Sequence, residues 1–124
     1  MLVFKNRDFS RWAAKEGLSD AALLCAVEEM TKGLADADLG GQVFKKRVAV
    51  GSRGKSGGVR TLLAYRAGNR AFFVYGFAKN AKANISPTEL KALKLYASTL
   101  LSYSRAELNK AVKSGALTEV VNHG

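Results

Sequence analysis

Basic side chains that could act on a phosphate recur through the middle of this sequence. Arginine binds a phosphate through two parallel hydrogen bonds, and lysine binds it as a point charge. On a compact meander of strands, residues spaced in this way can face one concave surface. The pattern therefore predicts an anion-binding site that draws on Arg47, Arg53, Lys55, Arg60, Lys79 and Lys82.

The whole net charge of the chain belongs to the stretch that holds these residues. The formal net charge is +10, and all ten acidic residues lie outside the window 39–88, whereas ten of the twenty basic residues lie inside it. A stretch of one sign repels itself, and a bound polyanion relieves that repulsion as counterions are released. We therefore expect a nucleic acid to bind this window. An acidic protein partner is compatible with this reading, and a membrane surface is less favoured because the basic residues fall on predicted strands.

RNA is a substrate that such a site could cut, because RNA carries its own nucleophile, the 2′-hydroxyl group. The protein must align this group with the adjacent phosphate, stabilise the added negative charge and transfer two protons. The window 39–88 contains no carboxylate and no histidine. A lysine that basic neighbours keep partly neutral could act as the base, and Arg60 could stabilise the phosphate charge. The residues alone therefore indicate RNA binding more firmly than RNA cleavage.

Other chemistries lack the residues that they need. The chain has one histidine, His123 near its end, and one cysteine, Cys25 in an apolar run, so we expect no zinc site, no internal disulfide and no thiol nucleophile. No pair of carboxylates lies in the basic window to hold a catalytic metal. The glycine-rich residues 51–58 do not match the spacing of a nucleotide-binding phosphate loop. The sequence therefore predicts no metal and no cofactor.

Hydrophobic patterning predicts which elements would position the basic residues. Ser86 with Glu89 and Ser104 with Glu107 have the spacing of a capping box, so a helix should begin after each serine. The order β-α-α-β-β-β-α-α predicts an α+β domain, a small antiparallel sheet with helices packed on one face. The predicted strands are residues 1–4, 42–50, 59–66 and 70–78, and the predicted helices span 8–16 and 19–32 or begin at 86 and 104.

The length of 124 residues fits a single domain. The first residues become charged after Phe4, and no apolar run approaches the roughly 20 residues of a membrane span. We therefore expect a cytoplasmic protein without a signal peptide or a membrane anchor.

Three segments in fixed order resemble one branch of a toxin superfamily. They are Lys-Arg-Val-Ala at 46–49, Gly-Lys-Ser-Gly-Gly-Val-Arg-Thr at 54–61 and Val-Tyr-Gly-Phe-Ala-Lys-Asn at 74–80. This succession of a basic strand, a G-K-x-G-G-x-R loop and a Y-G-x-x-K-N segment is similar to the RelE/HigB branch of the RelE/ParE toxins. The resemblance covers roughly residues 1–103, so residues 104–124 would be a C-terminal helical extension of a single RelE-like domain.

The resemblance implies a microbial-ribonuclease-like fold and a toxin of a type II toxin–antitoxin system. Such a toxin enters the ribosomal A site, cleaves mRNA without a metal and so inhibits translation. Its partners would be the ribosome with its mRNA and a cognate antitoxin that neutralises it. By position, the basic active-site residues would be Arg47, Lys55, Arg60 and Lys79, and the RNA-contacting residues would be Lys46, Arg53, Tyr75 and Lys82.

Two other functions remain open at this point. A ParE-like inhibitor of DNA gyrase would share the fold, since one fold can host several functions. It would damage DNA and leave mRNA intact. A basic nucleic-acid-binding module without catalysis, or a decayed toxin, would bind RNA in a salt-dependent way and produce no cleavage products.

Overall fold

A computed structural model describes residues 1–51, 58–78 and 85–121 of the chain. In these ranges it contains both helices and strands, and the predicted α+β class is confirmed. None of the helices in this part of the chain has the length and apolar character needed to cross a membrane. The elements are β1 (Leu2–Asn6), α1 (Arg7–Glu16), α2 (Asp20–Thr31), β2 (Ala37–Asp38), β3 (Val43–Val48), β4 (Val59–Arg66), β5 (Arg70–Ala78), α3 (Pro87–Leu101), α4 (Arg105–Ser114) and β6 (Leu117–Glu119).

The described strands form one open sheet in the order β2-β3-β4-β5-β1-β6. The strands β3, β4 and β5 make the predicted antiparallel meander, and the first strand joins it in parallel beside β5. Two short strands, β2 and β6, extend the predicted order. The strand β6 pairs with β1, so Leu117–Glu119, within the segment expected to be a helical C-terminal extension, joins the sheet.

Helices cover both faces of this sheet, and the prediction that they pack on one face does not hold. Helices α1 and α2 share a buried cluster with one face, for example through Phe9, Leu23 and Phe73. Helices α3 and α4 share a second cluster with the other face, through residues such as Leu100 and Phe72. We call these the α1/α2 face and the α3/α4 face. The cause lies in the central strands, which are apolar on both sides and must be covered on both sides.

The helix boundaries follow their local capping residues. Ser86 and Ser104 each accept a hydrogen bond from the backbone N–H three residues later, and Glu89 and Glu107 complete the two predicted capping boxes. The first helix begins one residue earlier than expected, because Asn6 is its N-cap and accepts from the backbone N–H of Phe9.

Candidate nucleic-acid interface

Two arginines lie directly opposite each other in the middle of the meander. Arg47 of β3 is the ladder partner of Arg60 of β4, and Arg60 is in turn the partner of Phe77 of β5. Directly opposite residues of an antiparallel pair project to the same face of the sheet. These three side chains therefore form a row across three strands.

A second row lies beside the first on the same face. Lys45 is the partner of Leu62, and Leu62 is the partner of Tyr75. Leu62 belongs to the buried cluster under α3 and α4, which places both rows on the α3/α4 face. We call Lys45, Arg47, Arg60, Tyr75 and Phe77 the basic-aromatic cluster.

Arg60 carries a donor that the described part of the chain does not satisfy. Its side chain is partly buried, and its Nη1 atom is buried with no hydrogen-bond partner among the described residues. Like charges placed directly opposite each other destabilise a sheet, and a buried donor without a partner costs further free energy. An anion bound between Arg47 and Arg60 would offset both costs.

Arg47 is held by a carboxylate that the sequence places outside the basic window. The Nε of Arg47 donates to Oδ1 of Asp36 at 3.0 Å, and its backbone N–H donates to Oδ2 of the same residue. Asp36 comes immediately before β2, which pairs with β3 and so brings the carboxylate to Arg47. Sequence reasoning missed Asp36, because a strand of two residues leaves no periodic signal.

A β-bulge turns the two aromatic residues toward the arginines. The ladder between β4 and β5 shifts register between Leu62 and Leu63. Ahead of the shift Phe73 packs in the α1/α2 cluster, whereas Phe77 packs against the α3/α4 cluster, although a regular strand would place both on one face. Bulges commonly re-aim side chains in this way. The shift therefore brings Tyr75 onto the face that carries Arg47.

The aromatic residues of the cluster form a partly exposed surface. The rings of Tyr75 and Phe77 lie 6.0 Å apart between centroids at an interplanar angle of 41°. The Nζ of Lys45 lies 5.9 Å from the centroid of Phe77, which is within the range of a cation–π contact. Tyr75 is 39% exposed. Exposed rings beside cationic groups can stack on unpaired RNA bases.

The strand β5, which carries Tyr75 and Phe77, packs closely against helix α1 on its opposite face. Gly76 is the ladder partner of Thr61, on the α1/α2 face, and a Cβ atom at Gly76 would lie 2.2 Å from Cζ3 of Trp12. A glycine is required there because no side chain fits beneath the indole. The contact fixes the strand segment that presents Tyr75 and Phe77.

Lys46 has a different position from its neighbours. It lies on the α1/α2 face and is 3% exposed, and its Nζ is 2.9 Å from Oε1 of Glu29 and donates to the carbonyl of Leu34 at 2.8 Å. The ammonium group is thus engaged beneath α2 and is not presented to a nucleic acid. The structure does not bring Lys46 together with Arg47 and Arg60, so the RNA-contacting role expected for it has no support from this placement.

The remaining predicted site residues, Arg53, Lys55, Lys79 and Lys82, lie outside the described residues. The described residues that flank them share one end of the meander. Val48, Val59 and Ala78 are successive ladder partners in the row next to Arg47, Arg60 and Phe77. Lys79 follows Ala78 directly in the chain. The described strand ends nearest to these four residues in the sequence therefore lie beside the two arginines.

Similarity to known proteins indicates which class of protein carries this surface. A search of curated proteins finds no significant match. The sequence profile described as "RelE toxin of RelE / RelB toxin-antitoxin system" matches residues 1–120. This match spans nearly the whole chain, including α4 and β6, and it confirms the resemblance predicted from the three motifs. The chain belongs to the RelE toxin family of RelE/RelB toxin–antitoxin systems.

Proposed function

We propose that this protein is a ribosome-dependent endoribonuclease that cleaves mRNA, inhibits translation and is neutralised by a cognate antitoxin. Membership of the RelE toxin family supports the general role. The observation that carries the proposal is the direct opposition of Arg47 and Arg60, with Nη1 of Arg60 lacking a partner among the described residues. Two arginines at directly opposite positions repel each other and do not stabilise the fold. A phosphate matches the charge and the geometry of two guanidinium groups.

The cluster supplies separate contacts for the two parts of a nucleotide. Arg47 and Arg60 hold the scissile phosphate and stabilise the charge that develops as the 2′-hydroxyl attacks it. Tyr75 and Phe77 receive an adjacent base by stacking. Lys45, over the ring of Phe77, adds a positive charge along the path of the backbone.

Proton transfer falls to lysines in this proposal. The family resemblance implies that Lys55 and Lys79 belong to the active site, and the described strand ends next to them in the sequence lie beside the arginine pair. One lysine, as a neutral amine, can accept the proton of the 2′-hydroxyl. The other, as an ammonium group, can protonate the leaving 5′-oxygen. Arg53 and Lys82 contact neighbouring phosphates.

The ribosome and the antitoxin complete the proposal. mRNA in the ribosomal A site is held as an unpaired strand, so its bases can reach an exposed aromatic surface. An antitoxin of acidic character would compete for the same basic window, whose charge makes up the whole +10 of the chain. The cytoplasm is where both partners meet the toxin.

Induced expression in a bacterial host tests the proposal. Wild type is compared with Arg60→Ala and with Arg11→Ala, which removes the same charge from an exposed position on α1. Primer extension on a translated mRNA should map cuts within codons for wild type and Arg11→Ala, and none for Arg60→Ala. Co-expression of the protein encoded beside the toxin should restore growth.

Two other results would overturn the proposal in different ways. Intact mRNA together with DNA breaks would indicate an inhibitor of DNA gyrase. Intact mRNA, undamaged DNA and normal growth would leave a binding module without catalysis.

A further inference from the structure

The Asp36–Arg47 contact combines two hydrogen bonds that one arginine donates to one carboxylate. Oδ2 of Asp36 accepts from the backbone N–H of Arg47, and Oδ1 accepts from Nε at 3.0 Å. The carboxylate therefore binds Arg47 at two points, the backbone N–H and the Nε of the guanidinium group. An arginine held in this way has lost much of its rotamer freedom before any ligand binds.

The two Nη atoms of Arg47 are guanidinium donors that can bind a phosphate. Among the described residues Nε is the side-chain atom of Arg47 that has a partner, and the side chain is 47% exposed. No described residue pairs with Nη1 or Nη2, so this part of the structure leaves both atoms open to a ligand. A carboxylate bound to both Nη atoms would occupy the positions that a phosphate needs, and the contact of Asp36 with Nε does not.

The charge of Asp36 also bears on the arginine pair. Arg47 and Arg60 are ladder partners and repel each other. Asp36 at the side of Arg47 lowers the net charge of this group from two to one and leaves both guanidinium groups facing the same surface. Without the carboxylate, Arg47 would be free to turn away from Arg60 into solvent.

We infer that Asp36 is a positioning residue for RNA cleavage, one that orients Arg47 beside Arg60 and does not itself contact the RNA. This inference rests on the proposed function and adds a residue that lies outside the basic window. It predicts an unusual combination of effects. Loss of the carboxylate should slow cleavage, because misplacing a group that stabilises the transition state lowers the rate. The same loss should not weaken RNA binding, because it removes a negative charge from a site for an anion.

The test compares Asp36→Asn with Asp38→Asn in single-turnover cleavage of mRNA on programmed ribosomes. Asp38 lies two residues further along, its Oδ1 accepts from the backbone N–H of Gly40, and it is matched in charge. For Asp36→Asn we expect a maximal rate about tenfold lower than for wild type, with an unchanged or lower half-saturating toxin concentration. Asp38→Asn should keep the wild-type rate. A partly unfolded variant would instead raise the apparent half-saturating toxin concentration and keep the maximal rate of wild type.

Two further measurements decide between positioning and a general structural effect. In the Arg47→Ala background, Asp36→Asn should have no further effect on the rate, since the group that it orients is gone. The Arg47 Nε–H resonance should exchange slowly with water in wild type and quickly in Asp36→Asn.

The outcomes separate this inference from the proposed function. A wild type that cleaves, together with an Asp36→Asn variant that cleaves equally fast, would overturn the role of Asp36 alone. Weaker RNA binding by Asp36→Asn would also contradict it. A wild type that does not cleave would overturn the proposed function, and the exchange rate of the Arg47 Nε–H would then decide whether Asp36 immobilises Arg47.

Discussion

Arg47 and Arg60 are direct ladder partners on adjacent strands, and their guanidinium groups share the face that carries Tyr75 and Phe77. The pairing is unfavourable for the free protein, because two like charges occupy directly opposite positions that an apolar pair could fill. Asp36 offsets part of the repulsion from the side of Arg47. This arrangement supports the proposal that the two arginines bind a negatively charged ligand.

Replacing Arg60 should separate stability from binding. Arg60→Met keeps an unbranched side chain and removes the charge, so the free energy of unfolding should stay equal to that of wild type or rise by up to about 1 kcal/mol. The dependence of RNA affinity on salt should flatten, by about 0.7 in the log–log slope for one lost phosphate contact. Urea unfolding and RNA titrations at several salt concentrations measure the two quantities.

Arg11→Met is the control for this experiment, because it changes the net charge equally on an exposed part of α1. Its salt dependence should match that of wild type. A large loss of stability in Arg60→Met, with an unchanged slope, would mean that Arg60 supports the fold and not the RNA.

Lys46 should behave in the opposite way. Its ammonium group is paired with Glu29 and with the carbonyl of Leu34 in a buried setting. Removing one partner of such a pair is costly, so Lys46→Ala should lower the free energy of unfolding by about 3 kcal/mol. The salt dependence of RNA binding should not change.

Lys45→Ala provides the comparison at the next position, which points to the other face. It should flatten the salt dependence and change stability by less than about 1 kcal/mol. If instead Lys46→Ala is stable and binds RNA less tightly, Lys46 contacts the RNA as its place in the sequence motif predicts.

Local signals in the sequence predicted the elements well, and contacts between distant residues account for what they missed. The capping boxes at Ser86 and Ser104 involve residues three positions apart, so they are readable from the sequence. The window without acidic residues is also a fact of the sequence. In three dimensions, however, Glu29 and Asp36 reach Lys46 and Arg47 from outside that window. Such pairs cannot be predicted from sequence spacing, because their residues are far apart in the chain.

The faces of the strands were harder to predict than their positions. The bulge near Leu62 reverses the alternation of β5, so counting alternate residues from Phe73 would assign Tyr75 to the wrong face. The continuous apolar run of β4 did carry a signal for helices on both faces. The two-residue strand β2 was too short for any pattern, and the location of Asp36 depends on it.

Gly76 should tolerate no side chain while Trp12 is present. Gly76→Ala would place a Cβ atom 2.2 Å from the indole of Trp12, so the two elements must move apart. We expect a loss of about 1–3 kcal/mol in the free energy of unfolding, the range for overpacked sites. The loss should fall below about 1 kcal/mol when Trp12→Leu opens the space, so a double-mutant cycle measures the contact. Equal losses in both backgrounds would contradict a direct clash.

Tyr65 offers a test that is independent of the site. Its ring is buried, its hydroxyl has no partner among the described residues, and burial raises the pKa of the phenol above its usual value. Tyr65→Phe should therefore be as stable as wild type, or more stable by up to about 1 kcal/mol, at pH 7.

The difference should grow in alkali. Because the folded protein holds the proton more tightly than the unfolded chain, wild type loses stability as the pH rises above about 10, and Tyr65→Phe lacks this contribution. Unfolding curves at pH 7 and at pH 11 measure the effect. A variant that is less stable than wild type at both values would show that the hydroxyl has a partner.

Cleavage is tested with purified protein and a labelled mRNA, with and without programmed ribosomes, in the presence of a chelator. We expect cuts within the A-site codon by wild type when ribosomes are present, and at least about a hundredfold slower cleavage by Arg60→Ala. Arg11→Ala should cut as fast as wild type. If a wild-type protein that is folded and binds RNA leaves mRNA intact on programmed ribosomes, the protein is not a ribosome-dependent endoribonuclease.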